Sequence, residues 1–152
     1  MSKEKANPVD PKQISIMQIN VLKSSIESPT KLQKNDEKMA GYTMSLGNEV
    51  NYDLDSKMVR IRLFLSFEGV SNDDEKSGLK GDFNIEYHFL VENLDANIKK
   101  EGESLKMNKT LIATLMGMAY STSRGIVLER TANTMFKGLV IPIIDPNEAL
   151  DL

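Results

Sequence analysis

Between residues 42 and 91 apolar and polar side chains alternate with a period of two, and this constrains the chain more than any other feature. Such a run suits a sheet with one dry face. Over residues 42–54, Tyr42, Met44, Leu46, Val50, Tyr52 and Leu54 share one phase, opposite Thr43, Ser45, Glu49, Asn51 and Asp53. Asp55 and Ser56 offer turn chemistry, and over residues 58–70 Val59, Ile61, Leu63, Leu65 and Phe67 then oppose Arg60, Arg62, Ser66 and Glu68. The pair predicts a hairpin. Residues 71–80 (SNDDEKSGLK) read as a polar loop, after which Phe83, Ile85, Tyr87, Phe89 and Val91 alternate with Asp82, Asn84, Glu86, His88 and Glu92. Upstream, apolar residues fall at 14 and 16 and then at 17, 19 and 21. That slip of phase predicts an edge strand over residues 14–26 with a bulge, ended by Pro29. Four consecutive strands imply an antiparallel sheet with one face wet.

A dry face needs a cover. Leu111, Ile112, Leu115, Met116, Ala119, Ile126 and Val127 recur at helical spacing, and Asn108 is a suitable N-cap for a helix from 109 to about 131. Gly117 and Gly125 cost such a helix about 1 kcal/mol each relative to alanine unless close packing uses them. Small residues at 117, 119, 121 and 125 would admit another backbone. This nominates a subunit interface of Met17, Ile19, Leu115, Gly117, Met118 and Tyr120. Residues 135–144 (MFKGLVIPII) are strongly apolar, yet Gly138 and Pro142 exclude a regular helix or a central strand. They read as an extended packed segment that either closes the core or forms one wall of a groove for nonpolar segments. In the second case Tyr42, Met44, Met135, Phe136, Leu139, Ile141 and Ile143 are the binding candidates. Asp145 as N-cap, Pro146 and Glu148 begin a short helix from 146 to about 151. The expected class is α+β: a four-stranded antiparallel sheet with one long C-terminal helix and a short terminal helix on one face.

Residues 1–13 hold Pro8 and Pro11 without hydrophobic period and read as a disordered lead-in to a single domain at 14–152. The chain has no cysteine, which removes disulfides and thiol chemistry. No apolar leader stands at the N-terminus and no run nears the roughly 20 apolar residues that span a bilayer, so a cytoplasmic protein without membrane insertion is expected. A net charge of -3 with interspersed signs offers no footprint for nucleic acid. The single histidine, His88, shares the wet phase with Glu86. There is no nucleophile elbow or glycine-rich phosphate loop, so no enzyme, cofactor or metal is expected. Asp73, Asp74 and Glu75 suit a solvated loop, and Arg60 and Arg62 suit cross-strand pairing with Glu86. Arg124, inside the apolar helix, either pairs with a carboxylate or shields its neighbours. Nine methionines are compatible with an adaptable surface as well as with core filling.

Several segments resemble the SecB family. The stretch ISIMQINVLKSSIESPT is similar to that family's first strand, which ends in an acidic residue, a small residue and proline, here Glu27, Ser28 and Pro29. The stretch AYSTSRGIVLERTANTMFKGLVIPIIDPNEAL resembles the family's long helix with an internal arginine, here Arg124. A glycine-containing apolar segment (138–144) and a proline-bearing short helix (146–150) follow. The likeness covers about residues 14–150. It implies an ATP-independent holding chaperone for unfolded or precursor proteins, built as a homotetramer from two dimers, with helices sandwiched between outward sheets. It also implies delivery to the SecA translocase motor through acidic positions matched by Glu27 and Glu86. Lys23 stands where an acid is expected and Asn84 where a leucine is, and no cysteine-bearing metal tail is present in the sequence. These departures favour a variant dedicated to one partner such as an antitoxin, beside the export role. A structural oligomeric protein, and last a small-molecule enzyme using Glu86 and His88, are the other readings.

Overall fold

The computed structural model describes residues 9–29, 41–70 and 76–150. The alternating segments form β1 (Ile14–Glu27), β2 (Gly41–Asp53), β3 (Met58–Val70) and β4 (Lys76–Val91), one antiparallel sheet in the order β1-β4-β3-β2. Both outer strands are therefore β1 and β2, consecutive in sequence and on opposite edges. Asp53 shapes the β2–β3 turn by accepting from the Asp55 amide and the Ser56 hydroxyl. Lys57 adopts a left-handed φ of 58 there. The expected bulge in β1 is present and is doubled: the register against β4 shifts between Ile16 and Gln18, and again between Val21 and Lys23.

β4 begins earlier than its pattern suggests. Residues 76–80 were expected in a loop, but they already pair, and Leu79 is fully buried. Gly78, with φ 80, lets the strand form there beneath Pro29. The acidic cluster Asp73, Asp74 and Glu75 lies outside the described residues, as do residues 1–8 of the lead-in. The rest of the lead-in is ordered: Pro11–Gln13 form a 3-10 turn capped by Asp10, and Val9 packs on the core.

A second hairpin, β5 (Ile98–Glu101) and β6 (Ser104–Met107), was not expected. Gly102, at φ 62, takes the first loop position of a tight turn. The hairpin leads into α1 (Lys109–Thr131), whose N-cap Asn108 accepts from the Thr110 amide at 2.9 Å. Leu111, Leu115, Met116, Ala119, Val127 and their neighbours lie against Val59, Ile61, Leu63, Ile85 and Tyr87 of the central strands. By length and composition α1 could cross a membrane, which corrects the expectation that no segment nears that length. In this fold its apolar stripe covers the sheet. The Tyr87 hydroxyl meets Ser123 Oγ at 2.6 Å, so helix and sheet are tied by a buried polar contact, and burial raises the Tyr87 phenol to about 12. A terminal helix, α2 (Pro146–Leu150), starts at Asp145, whose carboxylate accepts from the Asn147 amide.

Candidate nonpolar binding surface

After α1 the chain reverses through Lys137 and Gly138, with φ of 56 and 91, and returns as an extended strap over residues 139–145. Pro142 lacks an N–H, so this segment cannot complete a ladder and its carbonyls need other donors. Side chains supply them. Tyr42 of β2 donates to the Val140 carbonyl at 2.8 Å, Arg124 Nε to Ile141 at 2.9 Å and Tyr120 to Pro142 at 2.6 Å. Thr131 accepts from the Leu139 amide at 2.7 Å while its own hydroxyl donates to Val127. Thus the strap is anchored to both the sheet edge and the helix.

Its side chains divide between core and solvent, alternating over residues 139–141 and losing that alternation at exposed Pro142. Leu139 and Ile141 are buried, which corrects their assignment to a client surface: they close the chain's own core. Val140 and Ile143 point outward, at 67% and 82% exposure. Leu128 of α1 is exposed as well. Of the other expected contacts, Met44 is half-buried against the core, and Phe136 lies over Gly81 with Ile26 on the same glycine. Met135 is half-buried. Tyr42 serves the strap through its hydroxyl and touches Phe67 edge-on, with ring centroids 5.8 Å apart. Val140 was not nominated, although its place between two inward residues makes its direction legible.

A second apolar surface runs along β1. Ile16 and Ile19 pair in register with Phe89 and Tyr87, which are fully buried, yet are themselves 44% and 40% exposed. They stand on the dry face beyond the edge of the helical cover. Met17 and Leu22, at the two bulges, are also exposed. The expected interface residues on α1 fare differently. Leu115 and Tyr120 are buried in their own subunit, Met118 packs against that core, and a Cβ on Gly117 would meet Pro146 Cγ of the same chain at 3.3 Å. Leu115 and Tyr120 are therefore core residues, not interface residues.

On the wet face, the Glu86 carboxylate receives Arg62 Nη2 at 2.6 Å and Nε at 2.9 Å, with His88 Nε2 2.6 Å from its other oxygen. Arg62 also reaches Glu49 at 3.4 Å. Glu86 is only 7% exposed, so its assignment as a docking acid is corrected: its carboxylate is already engaged inside the sheet. Glu27 stays exposed at the end of β1. The Arg62 and His88 contacts hold Glu86 down to about 2, which also makes it a poor proton acceptor. Since the folded value lies below the unfolded one, this stabilisation is complete above about pH 4.5 and is lost as pH falls toward about 2. Glu86→Gln is expected to lower stability near neutral pH by about 1–3 kcal/mol and to flatten the acid limb of a denaturant-midpoint profile. An unchanged acid limb would assign that limb to other carboxylates.

No protein-family model matches the chain, and no curated protein does. Among solved structures it is similar to the Mycobacterium tuberculosis SecB-like chaperone Rv1957, solved in complex with a ChAD peptide from the Rv1956 HigA1 antitoxin. The two share 15% identity over 88% of this chain and 92% of that one, at a TM-score of 0.60. A Streptococcus agalactiae protein of unknown function also matches, with 13% identity over 86% of this chain and 97% of that one, at a TM-score of 0.38. The four-stranded sheet, long helix and short terminal helix of this chain thus make up a SecB-like α+β fold.

Proposed function

We propose that the protein is a non-enzymatic, ATP-independent holding chaperone that binds extended nonpolar segments of unfolded proteins along the strap. One observation carries this reading. Val140, between buried Leu139 and Ile141, and Ile143 are exposed on a segment whose carbonyls are fixed by Tyr42, Arg124 and Tyr120. An apolar surface held this firmly costs little further ordering when a client settles on it. The SecB-like fold supports the reading, and the similar mycobacterial protein was solved with a bound peptide.

The protein acts in the cytoplasm as a homo-oligomer, a tetramer of two dimers, joined through the exposed β1 residues. Several strap surfaces on one particle give avidity to individually weak contacts. Delivery to the SecA motor is not part of the proposal, because of the two matching acids Glu86 is occupied by Arg62 and His88. A chaperone dedicated to one antitoxin is the second reading, favoured by the antitoxin peptide in the similar structure. Affinity capture of stoichiometric clients separates the two: many unrelated precursors support the general chaperone, one partner the dedicated form.

The direct test is suppression of aggregation of a reduced, denatured client at equimolar ratio. Val140→Ser with Ile143→Ser removes aliphatic surface worth on the order of 2 kcal/mol, so client affinity falls about 30-fold while the melting temperature holds. Wild-type protein that leaves aggregation unchanged would end the chaperone reading.

A further inference from the structure

Beside the strap, Gly117, Tyr120, Ser121, Arg124, Ile143, Ile144 and Pro146 enclose a cavity of about 50 Å³, open to the surface. Arg124 is half-buried in its wall, and Nε is committed to the Ile141 carbonyl. The two Nη groups, which carry four N–H donors, have no carboxylate or carbonyl partner among the described residues. The acid closest in sequence to the cavity, Asp145, turns one carboxylate oxygen to the amide and side chain of Asn147 and makes no ion pair with Arg124. A half-buried guanidinium fork facing an open cavity can receive an anion, and a carboxylate is the group whose shape and charge match it.

We infer that the Arg124 cavity receives an acidic side chain of the bound client, so that the preferred segment is an extended nonpolar peptide carrying an interior Asp or Glu. This rests on the chaperone reading of the strap and names the class of segment it selects. The surroundings favour an interior side chain over a chain end. Gly117, Ser121, Arg124 and Leu128 follow one another at helical spacing along α1. Exposed aliphatic surface lies on both sides of the guanidinium, at Leu128 and Val140 in one direction and at Ile143 in the other. A client touching both patches passes across the cavity without ending in it.

The test uses two labelled peptides, identical and aliphatic except for a central Glu in one and Gln in the other, measured by fluorescence anisotropy on the full-length oligomer. Wild-type protein is expected to bind the Glu peptide about tenfold more tightly, with the preference shrinking as salt rises. Arg124→Gln should erase the preference, the two peptides then binding equally whatever the change in their common affinity, and Arg124→Lys should retain part of it. The wild-type comparison stands even if Arg124→Gln fails to fold. Equal binding of both peptides overturns the carboxylate site and leaves the chaperone reading intact, whereas binding of neither overturns both. A fall in native mass for Arg124→Gln, with no peptide preference in the wild type, assigns the guanidinium to a second copy of the chain and overturns the proposal.

Discussion

Leu115→Ala is expected to destabilise each subunit by about 2–5 kcal/mol, the range for truncating a buried leucine that its surroundings cannot replace. Leu115 is fully buried under the sheet, among Leu111, Met116 and Ala119 of the same helix. The cost depends on how far that layer can collapse. Tyr87 and Ser123 hold helix and sheet together by a buried contact, so collapse is limited and the upper half of the range applies. Equilibrium urea unfolding measures this directly. A loss below about 1 kcal/mol, or one that varies with protein concentration, would return Leu115 to an interface between subunits.

The second large effect concerns assembly. Ile16→Asp with Ile19→Asp places two carboxylates on the dry-phase edge of β1, where the proposed subunit contact would strip their water. Native mass by light scattering should fall from a multiple of the chain mass to 17.0 kDa. Secondary structure should survive, because both side chains are already partly exposed in the lone subunit. Wild-type protein that runs at 17.0 kDa, or a double variant of unchanged mass, would remove β1 from the interface.

Much of this architecture was legible in the residues because it rests on periodicity. The period of two located the four strands, the slip from Ile16 to Met17 marked a bulge, and Asn108 marked the start of α1. What escaped was short or polar. β5 and β6 span four residues each, carry Lys99, Lys100 and Lys106, and turn only Ile98 and Met107, at one end of the hairpin, toward the core, so no alternation announces them. The start of β4 hid among Lys76, Ser77 and Gly78 for the same reason.

At the strap, composition revealed an extended apolar pass but not which side faces the sheet. Leu139 and Ile141 went inward and Ile143, of the same phase, outward, because the phase breaks at Pro142 in a backbone whose carbonyls Tyr42, Tyr120 and Arg124 hold. Those donors act on carbonyls, which leave no trace in a side-chain pattern. Glu86 shows the converse. Its strand phase put it on the wet face beside His88 and in reach of Arg62, as found, but phase alone did not tell that these contacts leave it only 7% exposed.

The two irregularities in β1 carry a consequence for that edge of the sheet. A regular strand arriving at that edge finds hydrogen-bonding groups in step for only a few residues before an extra residue throws them out. Fibril-like growth demands an unbroken template, and this one is interrupted twice. The β1 edge is thereby a poor place for another chain to extend the sheet.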